Sequence, residues 1–265
     1  MLRNNHRDEV KTAKHFHCTA CGECCHGVLP LTCKDAFANV ARFPLCFAWT
    51  PLRQGSKDYG MVATLGTTIK LANRKELAVL IVPTAYIPPS FPCPALREDN
   101  LCSIHFNKPS RCKTMPFYPY REERYQAELW APLQGLACDT SPAAPVVFQD
   151  NKIVFRDDFD HERQDLLEQV PVLRCYADYM LKYSPLLVGS LINASSKAKA
   201  GNVVTSLSSF LTATKNTDAK QMAQLQLPIL NNYREKTAGD AKLADFHKNY
   251  LNWSKEMSYL SQRPL

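Results

Sequence analysis

Glycine is scarce in this chain. Nine glycines among 265 residues form neither a Gly-x-Gly-x-x-Gly nor a Walker pattern, which removes the familiar glycine-rich phosphate loops. Long apolar runs are missing too, since none approaches the ~18 residues that span a bilayer. The opening stretch from Met1 to Glu9 has no apolar core and no small-residue cleavage pattern. No secretory signal is read there, and a cytoplasmic location is expected. A concentrated charge of one sign is also absent. The net charge of +7 divides as +4 over residues 1–150 and +3 over 151–265, without the basic stripe that marks nucleic-acid binders. Neither nucleic acid nor membrane is therefore expected as a partner. Wholesale disorder is excluded by a hydrophobic fraction of 45% and a charged fraction of 22%.

What the chain has in excess is cysteine. There are eleven, and ten lie between Cys18 and Cys138, with only Cys175 beyond. An odd count cannot be fully paired, and a reducing compartment disfavours disulfides, so the cluster points to metal or redox chemistry. Fourteen of the eighteen prolines also fall within residues 18–150. That asymmetry divides the chain into a polar leader over 1–17, a cysteine-cluster metal-binding domain over 18–145 and a helical domain over 146–265. The fold expected is α+β: a small, irregular cysteine-rich half with short β-hairpins, then a mainly α-helical C-terminal half.

In the first half, Thr67–Leu71 and Glu76–Val82 are β-prone runs that read as a hairpin about Ala72–Lys75, and Tyr125–Trp130 reads as a further strand. The Thr140–Pro145 stretch reads as a linker. In the second half, Leu243, Phe246, Tyr250, Trp253, Met257 and Leu260 repeat at 3-4-3-4-3, one stripe of a helix with Asp240 as its N-cap. Leu173, Ala177, Met180 and Leu181 give a second helix, with Pro171 near its start. Val203, Leu207, Phe210 and Leu211 give a third. Met222 to Tyr233 give a fourth, kinked or broken at Pro228. The apolar stripes read as core, and the helical half is a candidate surface for a protein partner.

The densest motif is Cys18-Thr19-Ala20-Cys21-Gly22-Glu23-Cys24-Cys25. Cys-x-x-Cys spacing lets two thiolates converge on one ion across a tight turn, and two such steps bring three to one centre. Gly22 permits the backbone this loop needs. Because adjacent side chains diverge, Cys24 and Cys25 serve two metals or two edges of one cluster. The other candidates are dispersed: Cys93 before Pro94, Cys102 two residues before Ile104, Cys112 within Lys108–Lys113, and Cys138. Eight thiolates are twice the four of a tetrahedral zinc or a cubane cluster, fitting two four-ligand sites or one larger cluster with spare ligands. His17, His26 and His105 stand near these motifs as further ligand or supporting candidates. Tyr118, Tyr120 and Trp130 are candidates to shield the centre from solvent. Cys33, Cys46 and Cys175 sit among apolar or aromatic neighbours and read as core thiols.

The order and spacing of these segments resemble the YkgJ-type cysteine-cluster proteins, a family described as zinc- or iron-chelating. Its pattern is Cys-x-x-Cys-Gly-x-Cys-Cys, then Cys-Pro-x-Leu, Cys-x-Ile-Tyr, Arg-Pro-x-x-Cys-Arg-x-x-Pro and a final Cys. These segments stand here as Cys18–Cys25, Cys93–Leu96, Cys102–His105, Lys108–Pro116 and Cys138, so that the resemblance covers residues 18–139. His105 replaces the usual Tyr, and Lys108 and Lys113 replace two Arg, which keeps the charge but loses bidentate geometry. A looser resemblance joins the cysteines to those of flagellin lysine methylases, which use an iron–sulfur cluster, although no methyl-donor motif accompanies it. Zinc and iron–sulfur both accept four thiolates. The triple Cys-x-x-Cys step and the Cys–Pro pair favour an iron–sulfur cluster, 4Fe–4S, in a redox or substrate-modifying role. The alternative is zinc in a non-catalytic interaction module. No catalytic acid, base or nucleophile stands apart from the thiols. One four-thiolate centre lowers the formal +7 to about +5, and two lower it to about +3.

Overall fold

A computed structural model of the chain describes residues 13–71, 75–129, 137–196 and 201–263. The first half contains β1 (Lys14–His15), β2 (Leu29–Pro30), α1 (Cys33–Ala38), β3 (Leu45–Arg53), α2 (Tyr59–Leu65), β4 (Thr67–Lys70) and β5 (Glu76–Ala85). It continues with the short helices α3 (Ser110–Lys113) and α4 (Gln126–Leu129) and the strands β6 (Val146–Gln149) and β7 (Lys152–Ile153). The second half contains α5 (Asp157–Glu168), α6 (Val170–Tyr183), α7 (Pro185–Ser195), β8 (Val203–Ser206), α8 (Leu207–Ala213), α9 (Ala219–Lys236) and α10 (Ala244–Ser261). The fold is α+β, with the sheets built mainly from the first half and the long helices from the second. Among the described residues no helix is long and apolar enough to cross a membrane.

The main sheet runs β2-β5-β3-β8, with β4 also paired to β5. The β4–β5 hairpin is the one read from the sequence, in register from Thr67 opposite Val79 to Lys70 opposite Glu76; its turn residues, Ala72–Arg74, lie outside the described residues. β5 is buried along nearly its whole length, and its alternating side chains explain this. Leu77, Val79, Ile81 and Ala85 enter the large core. Ala78, Leu80 and Val82 enter a second core with Val62, Leu65, Tyr120, Leu166 and Val170. A strand covered on both faces reads as an unbroken apolar run. At the end of α2, Gly66 packs so closely on β5 that a Cβ there would lie 2.0 Å from the Val79 carbonyl oxygen, which only glycine tolerates.

The second half closes over the same sheet. β8 pairs with β3 from Cys46 opposite Ser206 to Trp49 opposite Val203, and one core joins Leu31, Phe43, Phe47 and Trp49 to Leu173, Tyr176, Phe210, Tyr250 and Met257. Phe47 stacks on Phe210 at 4.4 Å. The Trp49 indole N–H donates to Thr205 Oγ1 at 2.8 Å, so the buried ring keeps its polar atom satisfied. The helices of the 3.6-residue stripes form as expected at α6, α9 and α10, and the Asp240 side chain accepts from Lys242 N at the entry to α10.

Three readings change. Val203 belongs to β8, and the helix begins at Leu207 with Ser206 as its N-cap, accepting from Ser209 N; the open edge of β3 takes the β-branched Val203 and Val204 as a strand. α9 is a continuous helix with Pro228 inside it. Pro228 and Gln224 are both exposed, so the carbonyl that loses its partner at Pro228 faces water. The Tyr125–Trp130 stretch is helical as far as Leu129, with Trp130 outside the described residues. The buried Gln126 amide bonds both the N–H and the carbonyl of Tyr118 (2.8 and 3.0 Å) and folds the segment back on itself.

Gln226 ties the halves together. Its Oε1 accepts from Leu45 N at 3.0 Å, and its Nε2 donates to the carbonyls of Phe43 (2.7 Å) and Val40. The side chain is fully buried, so its loss strands three main-chain groups away from water, each costing about 1–3 kcal/mol. Gln226→Leu is expected to lower unfolding stability by about 3 kcal/mol or more in urea titration; a loss below about 1 kcal/mol would show that these groups find other partners.

Candidate metal centre

The cysteine loops are placed by backbone pairing more than by apolar burial. His17 and Asp139 form an antiparallel bridge, with His17 N to Asp139 O at 2.8 Å and the reverse bond at 3.0 Å. Thr19 Oγ1 donates to Ala137 O at 2.9 Å. These contacts bring Cys18 beside Cys138. A second bridge joins His26 to Pro92, and Cys93 N donates to Cys25 O at 2.7 Å, which brings Cys25 beside Cys93. A third joins Leu96 to Cys102, supported by Ser103 N to Ala95 O at 2.7 Å. Between the first two bridges the chain reverses through positive-φ residues at Ala20 and Gly22, with a third at Gly27 just after the second bridge. A Cβ at Gly22 would sit 3.3 Å from both Leu96 Cδ1 and Asn100 Cβ, so this glycine lets the first loop lie against the second.

Cys112 comes from α3, whose position is set by charge. Ser110 N donates to Asp35 Oδ2 at 3.0 Å. Arg111 pairs with Glu162 of α5 at 3.3 Å, both side chains being buried, and donates to the Phe117 carbonyl. Burial nevertheless pushes the Glu162 carboxyl upward, with Arg111 opposing it.

The thiols bear on one another across the paired loops. Cys138, raised foremost by burial, lies in the field of Cys18, Cys21 and Cys24. Cys112, pushed up to about 12 foremost by burial, lies in the field of Cys93, Cys24 and Cys102; Cys93 is likewise raised by burial and feels Cys102. Cys25 feels Cys93 and Cys112. Cys24 and Cys25 act most strongly on each other: Cys25 lowers Cys24, with Lys108 and His26 assisting, while Cys24 raises Cys25. Cys21 is lowered foremost by the Glu23 backbone N–H.

All eleven cysteines are free. As they lie, no three His, Cys, Asp or Glu side chains among the described residues are close enough to hold one metal ion. Their loops are nonetheless joined by backbone bridges at His17–Asp139, His26–Pro92 and Leu96–Cys102. An ion would supply the positive charge that crowded thiolates lack, and it binds only the deprotonated form. The donor set fits zinc or iron, which favour sulfur ligands, and not magnesium or calcium, which take oxygen.

The remaining candidates stand as follows. His17, His26 and His105 are exposed, and the His105 ring meets Phe106 edge-on at 5.8 Å. Tyr120 lies in the second core, stacked with Tyr118 at 4.9 Å. Cys33 and Cys46 are core thiols, with burial pushing Cys33 up to about 12. Cys175 is not in the core: it is exposed on α6, one residue before the buried Tyr176, so the helical period turns it outward. Arg42 and Tyr233, which the sequence did not single out, bear on the Cys93 thiol. Their distance along the chain from Cys93 left no local signal.

The geometry defines a cysteine-cluster region with the donor chemistry of a zinc or iron site. Residues 17–132 match the model of the CxxCxxCC family, whose description is "Putative zinc- or iron-chelating domain". That match covers seven of the eight candidate thiols and stops before Cys138. No curated protein and no solved structure gives a significant match to the chain.

In the metal-loaded chain, iodoacetamide is expected to modify exposed Cys175 at once and to spare buried Cys33 and Cys46. Chelation should then open Cys18, Cys21, Cys24, Cys25, Cys93, Cys102, Cys112 and Cys138 to alkylation, read by peptide mass mapping. Any of these eight that reacts equally fast with and without metal leaves the ligand set.

Proposed function

We propose that the chain holds iron as an iron–sulfur cluster of the 4Fe–4S type on this cysteine cluster, in a redox or substrate-modifying role in the cytoplasm. The observation that carries the reading is the backbone pairing of the cysteine loops, which sets Cys18 beside Cys138 and Cys25 beside Cys93; on this basis we group Cys18, Cys21, Cys24 and Cys138 as one set of candidate ligands and Cys25, Cys93, Cys102 and Cys112 as a second. The second group is the better seat for a cluster, since burial pushes the Cys112 thiol up to about 12 and also raises Cys93, and burial and hydrogen bonding are what tune such a centre. A cluster held by all four thiolates would supply one-electron transfer, and one held by three would leave an iron open to a substrate atom. The protein's own part is to hold four thiolates, to offset their charge with Lys108 and Arg42, and to keep water from Cys112.

Zinc is the second reading, favoured by one observation. Residues 17–28 are largely exposed, so the first loop has little apolar burial to support it, and structural zinc supplies folding free energy in such segments. In that case the helical half serves a protein partner.

Protein purified without oxygen is expected to be brown, with broad visible absorption that bleaches on reduction and about four irons per cluster. A colourless anaerobic preparation carrying stoichiometric zinc would overturn the iron–sulfur reading in favour of the second.

A further inference from the structure

Beside Cys93 the molecule opens into a cleft of about 430 Å³, within the size range of small-molecule sites, ~300–1,000 Å³. One wall is the Phe91–Leu96 segment that delivers Cys93; the other is α9, through Pro228, Ile229, Asn232, Tyr233 and Lys236. Arg42 completes the lining. The cleft is thus where the helical half meets the cysteine cluster.

Its chemistry is one-sided. The lining holds two cations, Arg42 and Lys236, and no carboxylate. Among the described residues neither cation has an ion-pair partner, and Arg42 Nε is shut off from solvent with no hydrogen-bond partner. An unpaired buried donor is costly, so half-buried Arg42 is a side chain short of an acceptor. Arg42 is also held in place. Gln226 of α9 bonds the carbonyls of Val40 and Phe43 on either side of it, which fixes the arginine relative to the opposite wall. Tyr233 is buried in the wall, and its ring carries the Lys236 ammonium at 5.9 Å, which places that cation at the cleft. Phe91, Pro228 and Ile229 supply apolar surface for the rest of a ligand.

We propose that this cleft binds a small organic anion, with its carboxylate or phosphate on Arg42 and Lys236 and its apolar body against Phe91 and Ile229. Its place beside Cys93 makes it the substrate side of the centre described under Proposed function, and the inference rests on that reading in this respect alone. Anion binding itself needs only the cleft.

The test is calorimetric titration of the full, metal-loaded chain with benzoate, phenyl phosphate and, as a neutral probe of similar shape, benzyl alcohol. At least one anion should bind ~10-fold or more tightly than the alcohol, a difference of about 1.4 kcal/mol, and should weaken as salt is raised. The stronger of the two anions tells which head group the cleft takes. Lys236→Gln, at an exposed position that folding does not need, should weaken that anion ~5-fold or more, and Arg42→Gln should abolish its binding; these are losses of the size expected for a charge-assisted bond. Equal binding of the alcohol, no binding of either anion, or unchanged affinity in Lys236→Gln would overturn the proposal, whatever Arg42→Gln does to folding. Metal content measured on the same samples separates the two readings. Full metal without anion binding removes the cleft and leaves the centre. Anion binding by a chain that never retains metal removes the centre and leaves the cleft.

Discussion

The structure depends on the two open edges of β3. A strand buried in the middle of a protein must satisfy its N–H and carbonyl groups on both sides. β5 covers one edge over nine residue pairs, from Leu45 opposite Ala85 to Arg53 opposite Leu77. The other edge is covered by β8, which lies more than 150 residues further along the chain. Because the second strand comes from the second half, the helices after it are drawn onto the same sheet. Phe210 then stacks on Phe47, and Tyr250 and Met257 share a core with Leu31 and Ile87. Gln226 completes the closure where regular pairing ends, bonding Leu45 N as the chain enters β3.

That closure gives the cysteine region its setting. The loops bearing Cys18–Cys25, Cys93 and Cys102 carry little apolar side-chain mass, and their order comes from short antiparallel bridges between segments far apart in sequence. They are anchored to the rigid part at a few points. β2 pairs with the end of β5, the Arg111–Glu162 pair ties α3 to α5, and α9 stands behind Cys93. Such a region is well suited to metal: its backbone is arranged, its thiols are crowded, and cations stand nearby. The interior on one side and the cleft on the other then give Cys93 two different environments, one dry and one open to small molecules.

Much of the fold was legible locally. The β4–β5 hairpin followed from β-branched runs about a polar turn, and α6, α9 and α10 from the spacing of their apolar residues, since both periods are properties of the backbone itself. Three readings failed where packing decided. Val203 sits four residues before Leu207 and so mimics a helical stripe, but the unpaired edge of β3 claims it. Tyr125–Leu129 alternates like a strand, but the Gln126 side chain satisfies the turn around Tyr118 and the segment coils. Cys175 has apolar neighbours in sequence, yet the helical period points it away from the core that holds Tyr176. In each case a contact or a face that the neighbouring residues do not show outweighs a local preference.

The same division holds for the site. From the sequence alone come the cysteine-cluster class, the eight candidate thiols and their chemistry, because Cys-x-x-Cys steps, Cys–Pro and the absence of phosphate loops are local facts about spacing and residue type. Only the tertiary structure decided which thiols are neighbours. It set Cys18 beside Cys138 and Cys25 beside Cys93, and turned α9 into the wall that faces Cys93. Ligand identity is carried by side-chain chemistry, which is written residue by residue. Ligand grouping and the cleft depend on main-chain hydrogen bonds and buried contacts between segments that are joined only when the chain folds.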